Sequence, residues 1–485
     1  MAYQSKKKIS MQVYKDAQQF LLPAQRKGSL QSRVFDTCKN NKNIKTNPKQ
    51  LFALVSSTLR YKPFILKIMK KTKIMELEKK AKIPESIFIL MIHDLLFSKS
   101  KRIQSKHHAW KDAIIRNRPR LEAELARMKI KHGVKSLDEL IEDDDTPVRW
   151  FRTNLLKTTT EALLREFSHL REVNSIGEIT TTGVIYHDEY IPNLFGIHPK
   201  EKLTSTDAYK QGRLIIQDRA SCFPAQILNP VPGKDKVIDA CAAPGNKTTH
   251  LASILNNSKR SIVAFEKDNK RIKTIRMMCE KAGGLNCITI HHADFTTTRP
   301  EDFPEITGML VDPSCSGSGI FGRAFDEQEE MDEEEAKEKL AERLQRLSAF
   351  QCTIVKHALS FPSVRKVIYS TCSIHDEENE GVVKQLIEDE DVKKQGWKVS
   401  KREDVLPDWP RRGHPEVFEG YENAEELAEG CVRSLPKVDG GIGFFAVSFE
   451  RDLGDDTSNK KVKKQTDEEE KEYEDDGEEW TGIED

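Results

Sequence analysis

The chain is predicted to be an α/β protein: a mostly parallel, doubly wound sheet, preceded by a small α+β unit and a helical domain. Three features predict this. Short apolar, β-branched runs recur between Val237 and Phe449, with helical stretches between most of them. Before about Asp145 the apolar residues instead repeat three and four apart, with few glycines. The residues of unusual chemistry fall at the carboxyl ends of the apolar runs, where open parallel sheets bind ligands.

Residues 1–145 form the expected helical domain, of six or so helices. Leu51-Phe-Ala-Leu-Val-Ser-Ser-Thr-Leu-Arg-Tyr and Leu121-Glu-Ala-Glu-Leu-Ala-Arg-Met-Lys-Ile carry its periodicity. The apolar run Ser86 to Phe97 falls short of the roughly 20 residues of a membrane span and holds His93 and Asp94, so it reads as a core helix. Glu142-Asp-Asp-Asp-Thr-Pro is a polar boundary.

Residues 146–212 are expected to form the α+β unit, with a strand at Val148–Asn154, a helix at Thr159–Leu170 and a β-branched segment at Thr180–Tyr186. Arg149, Trp150, Phe151 and Arg152 are candidates for nucleic-acid contact. The ordinary alternative is that strand aromatics are buried. Residues 213–453 hold the main sheet, with a charged insertion at 324–346 expected as an exposed helix or loop. The acidic, low-complexity stretch 454–485 is expected to be disordered.

A net charge of zero conceals an asymmetry. Met1 to Lys135 carries 32 Lys and Arg against 9 Asp and Glu, which points to a polyanionic partner. Nine cysteines, an odd number with no C-x-x-C pair, exclude a disulfide framework and a zinc ribbon and suit a reducing, intracellular setting. No signal peptide is visible.

The chemistry begins at Val237-Ile-Asp-Ala-Cys-Ala-Ala-Pro-Gly-Asn-Lys-Thr. A buried strand runs through small residues into a helix start, where backbone can approach a ligand closely. A triphosphate-binding loop is not supported, because Ala240 and Asn246 stand where that pattern needs Gly and Lys. Glu266 ends the next strand, at the position from which an acid bonds ribose hydroxyls. Asp294 follows the third strand; its ordinary alternative is a helix N-cap. Three such features in order indicate a nucleoside cofactor without choosing between NAD and S-adenosylmethionine. The fourth and fifth strands then each deliver a cysteine to the same sheet edge, in Asp312-Pro-Ser-Cys315-Ser-Gly-Ser-Gly and Tyr369-Ser-Thr-Cys372-Ser. A lone cysteine there is usually a small buried hydrophobe; two at adjacent strand ends are much harder to explain by packing.

These runs together resemble the Nop/Sun (RsmB-type) family of RNA cytosine-C5 methyltransferases, across roughly Arg149 to Arg451. Gln217-Asp-Arg-Ala-Ser and Gly441-Ile-Gly-Phe-Phe are similar to further family elements. The basic N-terminus with Thr58-Leu-Arg-Tyr-Lys-Pro, and the order Pro-Ser-Cys, resemble the eukaryotic subfamily acting on large-subunit ribosomal RNA. The resemblance implies a Rossmann-like class I methyltransferase domain using S-adenosyl-L-methionine. It implies Cys372 as nucleophile toward cytosine carbon 6 and Asp312 bonded to ring nitrogen 3 and the exocyclic amine. Cys315 would assist proton removal or product release, and Lys247 would sit near cofactor and base. The implied cofactor site is Cys241, Ala242, Ala243, Pro244, Gly245, Asn246 and Lys247, with Glu266, Arg271, Asp294 and Asp312. Partners expected are ribosomal RNA or pre-ribosomal particles, with no membrane and no metal, for a monomer in the nucleus and nucleolus.

One departure stands out. Many family members read Asp-x-Pro-Cys, whereas here Pro313 precedes Ser314, which moves the fixed φ one place along the loop. Two rival readings are a non-catalytic RNA-binding assembly factor and an amino methyltransferase. The second has no use for Cys372 and lacks the aromatic residue that its own loop requires.

Overall fold

The computed structural model describes residues 11–21, 30–137, 146–320 and 333–453. Seven α-helices lie in the described N-terminal residues. The longest, Pro48–Thr72, starts where Asn47 accepts from the Lys49 N–H and Pro48 needs no donor, and ends at Lys73 in the left-handed region. It packs on Glu85–Leu96, the expected core helix, in which every residue from Ile87 to Leu96 is buried.

Next comes a five-stranded sheet of β1 (Arg149–Thr153), β2 (Arg171–Val173), β3 (Val184–His187), β4 (Leu194–Ile197) and β5 (Leu214–Ile216), in the order β2-β3-β4-β1-β5. β5 pairs antiparallel with β1, so this sheet continues past Gly212 into residues read as the start of the main domain. The helix here is shorter than expected, Thr160–Glu166, with Thr159 as its N-cap. The expected nucleic-acid face of β1 is corrected for three of its four residues. Trp150, Phe151 and Arg152 are buried, and Arg149 is half-buried. The reason is that β1 is an interior strand covered on both sides. Phe151 enters the unit's own core, while Val148 and Trp150 share a continuous core with the main domain. Trp150 Nε1 donates to the Gly440 carbonyl at 2.8 Å. The Arg152 guanidinium donates to Gln217 at 2.7 Å and Thr249 at 2.9 Å. Both side chains are seams between domains.

The main sheet contains β6 (Val237–Asp239), β7 (Ile262–Glu266), β8 (Ile288–His292), β9 (Gly308–Val311), β10 (Lys366–Thr371), β11 (Lys398–Val399), β12 (Cys431–Ser434) and β13 (Phe444–Glu450). The order is β11-β13-β10-β9-β6-β7-β8, with β12 added beside β13. From β10 to β8 all pairs are parallel, and β13 joins antiparallel. Six of these strands, β6 to β10 and β13, lie on the apolar runs between Val237 and Phe449; β11 and β12, two and four residues long, gave no sequence signal. The chain reverses its direction of growth between β6 and β9. That is the switch point at which such sheets open a crevice.

The helix Glu333–Leu359 begins inside the charged insertion, and its later turns pack inward through Leu344, Ile354 and Val355. Residues 321–332 and the acidic tail 454–485 lie outside the described residues, and so do the expectations placed on them.

Candidate active site

Sheet register brings the two cysteine loops together. Tyr369 lies opposite Val311, so Ser370 and Asp312 follow side by side. Ser370 Oγ donates to Asp312 Oδ1 at 2.8 Å. Three residues beyond Asp312 and two beyond Ser370, the Sγ atoms of Cys315 and Cys372 are 3.0 Å apart. The Cys315 loop is stitched down at its far end, where the Gly319 N–H donates to the Cys372 carbonyl at 3.0 Å and the Gly443 N–H to the Gly319 carbonyl at 2.9 Å. A Cβ on Gly319 would stand 2.2 Å from the Gly443 oxygen, so only glycine fits.

The electrostatics of the two thiols differ. Lys247 Nζ donates to Asp312 Oδ2 at 2.7 Å and to Ser221 Oγ at 3.2 Å, over the face of Phe444. Burial opposes the Lys247 charge, but Asp312, then Cys372 and Asp239, outweigh it and raise its pKa above the ordinary value. The Lys247 charge is thus held chiefly by Asp312, with Cys372 contributing less. Cys315 lies among acids. Its contact with Cys372, its burial and the nearby acids Asp312 and Glu378 hold its thiol well above the usual range.

Both sulfurs face a cavity of about 470 Å³ at the carboxyl ends of the parallel strands. Of the predicted cofactor residues, Cys241, Ala243, Pro244, Glu266, Arg271, Asp294 and Asp312 line it. Ala242, Gly245, Asn246 and Lys247 do not. Ala242 is buried, and Gly245 turns the chain at φ +110° into the helix Asn246–Ile254, where a side chain would press on Ile275 and Met278. Lys247 meets the cavity lining through its bond to Asp312. Burial also pushes the Cys241 thiol far up.

The donor set fits a nucleoside cofactor. The buried Glu266 carboxylate ends β7; its Oε1 accepts from the Asp268 N–H, and its Oε2 lies 3.2 Å from Arg271. Arg271 also donates to the Ala243 carbonyl, tying this loop to the β7 end. Asp294 does cap a short helical turn through Thr296, while its other oxygen lies 3.5 Å from Lys267 and the residue still borders the cavity. Phe265, Phe350 and Ile354 supply apolar walls.

Sequence reasoning missed four side chains here. Ser370 and Ser221 lay in quoted runs but were given no task. Gln351 sits in a helix with a charged start, and Glu378 in an acidic run that reads as solvated surface. Glu378, Asn379 and Glu380 are instead wholly buried. Among the described residues one grouping, Asp376, Glu380 and His414, has the spacing of a metal site. The Arg433 guanidinium pairs with both acids and supplies the positive charge there.

Residues 225–449 match the family described as 16S rRNA methyltransferase RsmB/F. The Schizosaccharomyces pombe protein named 25S rRNA (cytosine-C(5))-methyltransferase rcm1 is 40% identical over 430 residues, covering 88% of each chain. This chain belongs to the NOL1/NOP2/Sun family of RNA (cytosine-C5) methyltransferases. Its methyl donor is S-adenosyl-L-methionine. The mouse 28S rRNA (cytosine-C(5))-methyltransferase is 34% identical over 441 residues, again covering 88% of each chain. Residues 49–141 match the N-terminal domain of NOL1/NOP2/Sun domain family member 5, so the basic helical domain of this methyltransferase is a family feature too. The crystal structure of PH0851 shares the fold, with a TM-score of 0.58 at 20% identity, covering 92% of this chain and all of that one.

Proposed function

We propose that this methyltransferase forms 5-methylcytosine in large-subunit ribosomal RNA, with Cys372 as its nucleophile. The observation that carries the mechanism is the pair of thiols 3.0 Å apart at one cavity edge, next to an Asp312 carboxylate held by Lys247 and Ser370. Curated relatives named for 25S and 28S rRNA support the substrate.

Carbon 5 of cytosine is too weak a nucleophile to take a methyl group unaided. Addition of the Cys372 thiolate to carbon 6 makes the ring an enamine, and the electron pair arrives at carbon 5. Asp312, oriented by Ser370 and Lys247, bonds the ring nitrogen 3 and exocyclic amine edge and stabilises the adduct. The cofactor supplies the methyl group. The carbon 5 proton then leaves with assistance from Cys315, and elimination across the 5,6 bond expels the Cys372 thiolate. Glu266 and Asp294, which line the same cavity, would hold the nucleoside part of the cofactor.

The target base must leave its stack to enter, so the substrate is single-stranded or remodelled RNA. The helical domain supports RNA docking through its excess of Lys and Arg; a cleft of about 560 Å³ there includes Lys71, Lys73, Arg120 and Arg127 together with Glu76 and Glu124, the last paired with Arg127. We assign the enzyme to the nucleolus, acting as a monomer without a metal. One chain supplies every side chain used above, and no helix among the described residues is long and apolar enough to cross a membrane. Bisulfite sequencing of total RNA with and without the protein tests the substrate. Loss of one large-subunit methylcytosine is expected; persistence of every ribosomal methylcytosine would overturn it.

A further inference from the structure

We propose that Glu378, with Gln351 as its partner, is a positioning residue for this reaction: it anchors the loop that carries Cys315 and sets that thiol apart in role from Cys372. The proposal rests on the two-thiol reading above and deepens it.

The loop after β9 leaves the sheet, so its peptide groups need other partners. Glu378 Oε1 accepts from the Ser316 N–H at 2.8 Å and from Gln351 Nε2 at 3.0 Å. Gln351 Nε2 also donates to the Ser314 carbonyl at 3.1 Å. The peptides on both sides of Cys315 are thereby tied to one buried pair. The pair is tied in turn to the strand that delivers Cys372, because Tyr369 on β10 donates its hydroxyl to the Glu378 carbonyl at 2.6 Å. Next along the chain, Asn379 accepts from Thr371 Oγ1 at 2.6 Å and donates to the Ser373 carbonyl at 3.1 Å, bracketing Cys372 in the same way. Consecutive residues thus hold the two cysteine loops in register.

A glutamine would accept the same two bonds without a buried charge. Glu378 Oε2 is buried with no hydrogen-bond partner among the described residues, so the carboxylate is an expensive choice for an anchor alone. Its charge has a second effect. It adds to the surroundings that raise the Cys315 thiol, after the contact with Cys372, burial and Asp312. Attack is thereby directed to Cys372, and Cys315 gives its own proton to solvent before, as thiolate, it takes the carbon 5 proton of the methylated adduct.

The test compares wild type with Glu378→Gln, which keeps shape and acceptor but removes the charge, and with Gln351→Met, which cuts the tie to Ser314. Iodoacetamide labelling of Cys315 is read by peptide mass spectrometry across pH. RNA–protein adduct is read on denaturing gels, alongside turnover. For Glu378→Gln the labelling profile is expected to shift toward lower pH, because one negative charge beside the thiol is removed. In both variants the share of enzyme left as adduct is expected to rise as turnover falls about tenfold. A labelling profile unchanged in Glu378→Gln, or adduct that stays at the wild-type level in both variants, overturns the proposal. If wild type itself forms no adduct, the two-thiol reading fails instead, and the labelling profile still reports what Glu378 does to Cys315.

Discussion

Lys247 and Asp312 meet across the switch point of the sheet, Nζ to Oδ2 at 2.7 Å, and Ser370 fixes the other carboxylate oxygen. The cation is thus held against the acid proposed to read the base, without lining the cavity. Replacing Lys247 by Met removes that charge, and methyl transfer is expected to fall by about 10²- to 10³-fold, the usual cost of one preorganised electrostatic group. The sign of the pH effect follows from the raised Lys247 pKa. On the alkaline side the Lys247 contribution is complete up to about 10.4 and is lost as pH rises through the higher folded value. Single-turnover assays with matched RNA check the rate, and alkaline denaturation checks the sign.

Asp239 gives a pH signature on the acid side. Burial raises its carboxyl to about 6, even though Thr248 donates to it at 2.7 Å. Between pH 3.8 and 6 the unfolded chain releases this proton and the native one keeps it. Stability therefore falls as pH rises through that window, by about 3 kcal/mol from this group, and is flat above it. Asp239→Asn is expected to remove the slope. Urea titrations at several pH values would show it, and an unchanged slope would rule out Asp239 as its source.

Gly319→Ala forces a methyl group onto the Gly443 carbonyl, at the seam that also carries the bond to the Cys372 backbone. A loss of roughly 1–3 kcal/mol in stability is expected. A larger proportional loss in methyl transfer should accompany it, because the loop that moves is the one that sets the two sulfurs. Parallel denaturation and rate measurements separate the two effects.

Arg152 was a candidate for RNA and is instead a buried seam, its pKa lowered to about 10 by burial. Arg152→Ala is expected to destabilise the protein by about 3 kcal/mol, since Gln217 and Thr249 lose their buried partner. The salt dependence of RNA binding by the folded variant should stay as in wild type. A reduced slope of log affinity against log salt would return Arg152 to the RNA face.

The sheet was legible because strand periodicity and small-residue turns are local properties, and the parallel strands between Val237 and Thr371 stand where apolar runs placed them. Both cysteines, Asp312 and Glu266 were legible for a related reason: strand ends in such a sheet converge on one edge. The face of β1 was not. Burial of Trp150 and Arg152 depends on contacts with Gly440, Gln217 and Thr249, residues far away in sequence. Glu378 was hidden more thoroughly, inside a run of acids whose composition speaks for water. Only the loop folded over it shows why a carboxylate is buried there.

The central claim is tested most directly by trapping the enzyme on substrate RNA and asking which sulfur holds the base. Wild type, Cys372→Ala and Cys315→Ala are incubated with cofactor and matched RNA, then resolved under denaturing conditions. No adduct is expected from Cys372→Ala, and more persistent adduct than wild type from Cys315→Ala. Adduct formed by Cys372→Ala, with none from Cys315→Ala, would contradict the account.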